Sequence, residues 1–530
     1  MPEVVLEHWP HPRAESSSRA FTSALITLTL SILGSSVLPV PYAFSRTGVL
    51  LGLLTALAVS LANSLTGTLL VRAAGACGTS SYEALAETLG GPRWRAFTQS
   101  WLVLLLFGTL CGDFALVADT GRLAVGKLAG SAAPHWLLAG QGRVIVALLG
   151  LGLVLPLSCL KHIRKLEQAA AAGVALVGVL TVIIIRRCVA DDFPAVRSGE
   201  LDLFHVRLTP DLPEAIGVLS FAFYVHPMLL PMLAEMPAGA RGVALTARAN
   251  QLVTSGVALA IYSVVGVFAA ARYGLATGGD VLVNEWLGGA WDGALDAGMA
   301  LYLALSMVPI VLTLRLQLDA LILGPGRRTS RAHTMQVTAA SVLSSLGVAL
   351  CFPTAAEKMF AITGASAVCV VCYALPVAFH LRLFYRPASA VARCASVPDL
   401  APSAQHALLG TSLGPDANQH NASTLSLAGW GRPGSPASTA PSTGSARLAS
   451  AEHAASLAHW ADLDDKLAGL EPGPVTLEYP SVHSVRQEPS VARRAAAMTQ
   501  HVVLPLLVLV LGFLASGVGL VLAIQQLLAS

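Results

Sequence analysis

Most of this 530-residue chain consists of long apolar runs in which charged side chains are scarce. About 20 consecutive apolar residues cross a bilayer as a helix, so the pattern predicts an all-α membrane protein. Composition agrees: 54% of residues are hydrophobic and 12% charged, against about 25% charged in soluble domains. The 47 glycines suit helices packed in lipid, where small residues let backbones approach. A formal net charge of +3 is too slight to suggest nucleic acid as a partner; membrane lipid is the expected one.

Charges and turn residues divide the runs into eleven expected transmembrane helices, over 21–44, 49–73, 97–121, 143–162, 166–185, 212–236, 249–273, 294–323, 335–352, 358–383 and 502–528. The stretch 281–290 is too short to count as a twelfth. Four regions follow: a cytosolic N-terminal segment (1–20), a ten-span core (21–386), a cytosolic loop (387–499) and an eleventh span (500–530). Residues 1–20 lack the basic start and short apolar core of a cleavable signal, so the first span is expected to direct its own insertion. With the N-terminus inside, Arg93, Arg95, Lys161, Arg164, Lys165, Arg241, Arg248, Arg327, Arg328 and Arg331 face the cytosol. The outer loop with Asp280, Glu285 and Asp292 then has no Lys or Arg. Arg186, Arg187, Arg197 and Arg207 count against this orientation, which the Lys/Arg excess still favours.

The 387–499 loop is rich in Ser, Ala, Pro, Gly and Thr and is expected to be disordered. Leu457, Trp460, Leu463, Leu467 and Leu470 recur within it at helical spacing, so the 451–470 segment is a transient helix or a docking site for a cytosolic partner. Asn421-Ala422-Ser423 is a glycosylation acceptor that a cytosolic loop would leave silent. Cys369-x-x-Cys372 sits within a span without a His or second Cys pair, so buried apolar cysteines, not a metal, are expected.

Two spans are not plain helices. The first carries Gly34-Ser35-Ser36-Val37-Leu38-Pro39-Val40-Pro41-Tyr42, and its prolines are expected to unwind it between Gly34 and Pro39. The sixth carries Phe221-Ala222-Phe223-Tyr224-Val225-His226-Pro227 and is expected to break around Tyr224 to Pro227. Unpaired backbone at membrane depth is tolerated beside a cavity or inside protein, and breaks at corresponding places in two halves mark a transporter's substrate site. Freed amides suit a carboxylate and freed carbonyls an ammonium or another cation. Two Pro-kinked helices without a site are the plainer alternative.

These strings resemble the amino acid/auxin permease family, which includes the sodium-coupled neutral amino acid transporters of animals and the vacuolar amino acid transporters of plants and fungi. The first-span string through Ala43-Phe44 and Thr47-Gly48 is similar to that family's opening motif. Phe221 to Pro227 with Pro231, Leu155-Pro156-Leu157-Ser158 with Lys161, and Thr363-Gly364-Ala365-Ser366 with Leu375-Pro376 resemble its sixth, fourth and tenth spans. The resemblance implies eleven spans, a five-plus-five inverted-repeat fold with helices 1 and 6 broken, and cation-coupled amino acid symport. By position, backbone groups at Ser35, Ser36 and Val37 would meet the substrate carboxylate, with Gly34 also in the substrate site. Carbonyls near Phe221, Ala222 and Phe223 would meet its amino group, with Phe223 and Tyr224 as side-chain neighbours or packing aromatics.

No cofactor is expected beyond a coupling ion, H⁺ or Na⁺. The resemblance implies Asn as a sodium ligand where this chain has Leu30, and Ser306 as the hydroxyl completing that site. A hard cation needs several oxygen ligands, so losing the Asn favours the proton. Ionisable groups at membrane depth are functional hypotheses by default. Asp113 is a coupling group or a hydrogen-bonded structural acid; Asp119, nearer the outer end, is a coupling group or simply solvated. His226 either titrates or caps the freed backbone. Arg315 and Asp319, four apart, are expected to form an ion pair. The expectation is therefore an amino acid transporter, not an enzyme, in a plasma or a vacuolar/lysosomal membrane. The alternative is an amino acid sensor signalling through the cytosolic loop.

Overall fold

A computed structural model describes residues 17–138, 140–159, 166–201, 203–204, 211–237, 239–324, 330–385 and 499–529. The segment before residue 17, the 387–498 stretch with Asn421 and the Leu457 to Leu470 pattern, and Lys161, Arg164, Lys165, Arg207, Arg327 and Arg328 lie outside the described residues.

The described elements are all helical. The first span is a bent pair, α1 (Ser17–Ile32) and α2 (Val40–Thr47). Then come α3 (Val49–Cys77), α4 (Tyr82–Gly90), α5 (Pro92–Ala129), α6 (Arg143–Ser158) and α7 (Leu166–Ala190). The sixth span is α8 (Leu212–Ala222) and α9 (His226–Glu235). After it come α10 (Ala240–Ala276), α11 (Gly289–Leu323), α12 (Arg331–Cys351), α13 (Ala356–Leu383) and α14 (Leu504–Ala529). Among the described residues, eight helices are long and apolar enough to cross a membrane, and the bent first pair brings the number to nine. Residues 281–283 form only a 3₁₀ turn.

Local chemistry sets the ends. α3 stops at Gly78, whose φ of 64° is left-handed, and Thr79 N–H donates to Ala74 O at 3.0 Å, closing the turn beyond the helix. Gly91 precedes α5, and Pro92 opens it where a missing N–H costs nothing. Leu54, Leu57 and Leu61 on α3 and Val179 and Val182 on α7 are exposed. Such faces suit lipid, because a helix apolar all round has no water-facing side.

The core holds the site in place. α5 packs along α11 and touches α12 and α13. α2 lies against α8 and α10, α1 against α10, and α14 against α8 and α13. Small residues allow a close crossing: a Cβ on Gly364 of α13 would stand 1.9 Å from Gly217 O of α8.

Candidate substrate site

Both expected breaks are present. α1 ends at Ile32, Gly34 leaves helical geometry at φ −90°, ψ −139°, and Ser35–Val37 form one 3₁₀ turn before α2 starts after Pro39. The halves meet at 53°. Val37 N–H reaches Gly34 O at 3.5 Å and Leu38 N–H reaches Ser35 O at 3.2 Å. The amides of Gly34, Ser35 and Ser36 find no acceptor among the described residues. α8 ends at Ala222; Phe223, Tyr224 and Val225 bridge to α9, which begins at His226 with Pro227 in its first turn. Phe223 N–H donates to Leu219 O at 3.0 Å and Tyr224 N–H to Phe221 O at 3.3 Å.

A residue the sequence reading missed joins the two breaks. The hydroxyl of Tyr262, fully buried on α10, reaches Ile32 O at the end of α1 and lies 3.0 Å from Ala222 O at the end of α8. Ser36 Oγ lies 3.0 Å from the same hydroxyl and donates to Ile32 O at 2.9 Å. A phenol has one hydrogen. With Ser36 serving Ile32 O, the Tyr262 hydrogen is available to Ala222 O, so both helix ends are satisfied by side chains. Phe223 packs edge-on against Tyr262 at 5.0 Å, and Phe221 stacks on Phe360 at 4.4 Å. Both phenylalanines are packing residues, 1% exposed or less.

Asp113 reaches the same place from α5. It is fully buried, and neither carboxyl oxygen has a hydrogen-bond partner among the described residues. Its polar neighbours are the Ser35 hydroxyl at the first break, Tyr224 at the second, and Tyr302 on α11. The Tyr302 hydroxyl lies 3.8 Å from where a Cβ on Gly34 would stand. Thr109, one turn before Asp113, neighbours the Tyr224 hydroxyl. Among the described residues no cationic side chain faces Asp113.

His226 is drawn away from the breaks. Its Nε2 lies 2.9 Å from Thr66 Oγ1, whose own hydrogen goes to Ala62 O at 2.9 Å. That leaves Nε2–H as the donor and Nδ1 as a buried acceptor without a partner. Ser306 donates to Leu303 O of its own helix at 2.8 Å.

Asp119 is buried rather than solvated, because the 277–288 loop folds over it; its charged neighbours are Asp280, Glu357 and Arg122. Val281 N–H of that loop donates to Leu38 O at 3.2 Å, satisfying a carbonyl of the first break. Asp280 accepts from Leu282 N–H at 2.9 Å and from Thr120 Oγ1 at 3.0 Å. Burial pushes its carboxyl up to about 6, against the opposing pull of the Leu282 amide, Thr120 and Lys127. Lys127 pairs with Asp296 at 2.9 Å.

The expected Arg315–Asp319 pair does not form. Asp319 pairs with His333 of α12 at 3.0 Å, while Arg315 reaches Thr338 Oγ1 at 3.4 Å. The helical spacing permits the pair, but α12 offers both side chains other partners. An open groove of about 550 Å³ lined by Arg143, Val144, Ala147, Leu148, Leu151 and Gly152 lies on α6, away from the breaks.

Comparison with known proteins gives the family. The profile described as "Transmembrane amino acid transporter protein" matches residues 17–399, most of the chain. A rat protein with the provisional name sodium-coupled neutral amino acid transporter 11 is 25% identical over 224 residues, covering 41% of this chain and 46% of the rat protein. Its bovine namesake is 26% identical over 211 residues, 39% and 43% of the two chains, and its zebrafish (Danio rerio) namesake 24% over 217 residues, 41% and 47%. The chain thus spans about half the length of the curated relatives it matches. With a family profile covering both broken spans and the helices that pack around them, this multi-pass membrane protein belongs to the transmembrane amino acid transporter family.

Proposed function

We propose that the chain is a cation-coupled secondary transporter of amino acids, with eleven spans in a five-plus-five repeat and its substrate held where spans 1 and 6 are unwound. One observation carries the reading: three consecutive amides, Gly34 to Ser36, lack acceptors among the described residues at a break that Tyr262 ties to a second break. Adjacent amides at a broken helix form a concave donor set for a carboxylate. Such backbone contacts recognise the head group common to all amino acids. Tyr302 lies beside Gly34, and both Tyr224 and Tyr302 neighbour Asp113.

The proton is the better-supported ion. Leu30 offers no oxygen where the family's sodium-coupled members carry Asn, and the Ser306 hydroxyl is turned to its own helix. Asp113 is a buried carboxyl beside the break and has the chemistry to carry a proton. The relatives' names favour sodium, but their names describe those proteins. The walls are closed around this space, with Asp113, Phe221 and Phe223 at 1% exposure or less. Entry therefore requires the short halves α1, α2, α8 and α9 to tilt about their unwound joints, as in alternating access.

The test is uptake of labelled neutral L-amino acids by proteoliposomes holding the full chain, with pH and sodium gradients imposed separately. Uptake that follows the pH gradient supports the proposal, and uptake that requires sodium replaces the proton with sodium. Absence of uptake under either gradient removes the transport reading.

A further inference from the structure

Building on the transport reading, we infer that Asp113 receives the ammonium group of the substrate and that substrate and proton therefore compete for one carboxyl. The amino acid's carboxylate and ammonium are attached to the same carbon, so the ammonium acceptor must lie beside the amides of Gly34, Ser35 and Ser36. In a broken-helix site the usual source of such an acceptor is the carbonyl end of the partner helix. Here two of those carbonyls already have donors: Ala222 O faces the Tyr262 hydroxyl, and Phe221 O accepts from Tyr224 N–H.

Asp113 supplies a charged acceptor, which those neutral carbonyls cannot. Its two oxygens are fully buried and unpartnered, and the Ser35 hydroxyl is its neighbour at the break. A bare carboxylate at that depth is strongly unfavourable unless a proton or a cation satisfies it. The titratable groups facing it are Tyr224 from the second break, Tyr302 from α11 and Cys111 from its own helix. None is a cation, so the compensating charge must come from outside the chain's described residues.

The exchange balances simply. A protonated Asp113 loses its proton as the ammonium arrives, and the carboxylate then accepts hydrogen bonds from the ammonium. One proton leaves and one zwitterion binds, so the net charge of the site falls by one: the ammonium neutralises the Asp113 carboxylate, and the substrate's own carboxylate is left to the amides of Gly34 to Ser36. Mutual exclusion at one group couples substrate to proton as exchange, in which the proton returns through the empty site. Substrates must keep a free ammonium: N-acetyl amino acids and α-hydroxy acids lack the group Asp113 needs.

The experiment uses the purified full chain in proteoliposomes and counterflow of labelled neutral L-amino acids, with no ion gradient, across pH 5 to 8. The wild type is expected to bind more weakly as pH falls. Asp113→Asn is expected to weaken apparent affinity by about 10- to 150-fold, the range for a hydrogen bond to a charged group, and to lose the pH dependence. Asp113→Glu is expected to recover part of both, and N-acetyl or α-hydroxy analogues should fail to compete in the wild type. Should affinity improve as pH falls, or stay flat in the wild type, the competition is overturned whatever the variants do. Equal affinity in a monodisperse Asp113→Asn protein overturns the ammonium contact while leaving amino acid transport standing. A wild type that exchanges no amino acid removes the transport reading itself.

Discussion

Replacing Tyr262 with Phe removes one oxygen and keeps the ring that packs against Phe223 at 5.0 Å. The Ser36 hydroxyl still reaches Ile32 O at 2.9 Å, so the group left bare is Ala222 O, 1% exposed at its residue and 3.0 Å from the missing hydroxyl. Leaving one buried carbonyl unsatisfied costs about 1–3 kcal/mol. Tyr273→Phe is the matched control. Its hydroxyl donates to Glu285 O at an exposed position, where water can replace it, and the change should cost at most a few tenths of a kcal/mol. The assay is reversible unfolding of the purified protein in mixed detergent and SDS, comparing both variants with the wild type. The reasoning is refuted if Tyr262→Phe is no less stable than Tyr273→Phe, since the tie between the two breaks would then contribute nothing.

Three further outcomes follow from the same structure. Gly364→Ala places a methyl 1.9 Å from Gly217 O, a backbone atom that cannot step aside, so it should cost about 1–3 kcal/mol or more and lower the yield of folded protein. Gly178→Ala, with open space around it, should be neutral by fluorescence-detected gel filtration. Asp280 has its carboxyl raised from 3.8 to about 6, so the folded state binds its proton more tightly than the unfolded state does. Its stabilising contribution is therefore complete below pH 4 and is lost as pH rises through 6. Melting temperatures of wild type and Asp280→Asn should converge at low pH and separate in the variant's favour above 6; parallel curves would exclude this role. Thr66→Val removes the partner of His226 Nε2, 2.9 Å away, and leaves a buried imidazole with neither nitrogen paired. It should lower stability by about 1–3 kcal/mol, read in the same SDS titration.

The sequence made the two breaks legible because their cause is local. Gly34, Pro39 and Pro41 at the first, and Pro227 at the second, interrupt a helix wherever it is placed. Asp113 was legible for a similar reason, as a charge within an apolar run. Contacts arriving from distant segments were not. Tyr262 sits in an ordinary apolar helix, and its partners lie 230 and 40 residues away along the chain. Asp119 looks solvated until the 277–288 loop is folded over it, with Thr120 and Asp280 joined across 160 residues. Arg315 and Asp319 share one helical face, but His333 from the next helix takes the aspartate. Spacing within a helix shows which side chains can meet, and only packing shows which of them have better partners.

The central claim is that the unwound strand at Gly34 to Ser36 holds an amino acid whose movement is linked to a proton through Asp113. The most direct measurement is proton release on adding labelled neutral L-amino acids to weakly buffered, detergent-purified protein, recorded with a pH dye while substrate binding is counted. Near neutral pH, the account predicts up to one proton released per amino acid bound by the wild type, and none by Asp113→Asn. Binding without proton release in the wild type, or release that survives in Asp113→Asn, would contradict it.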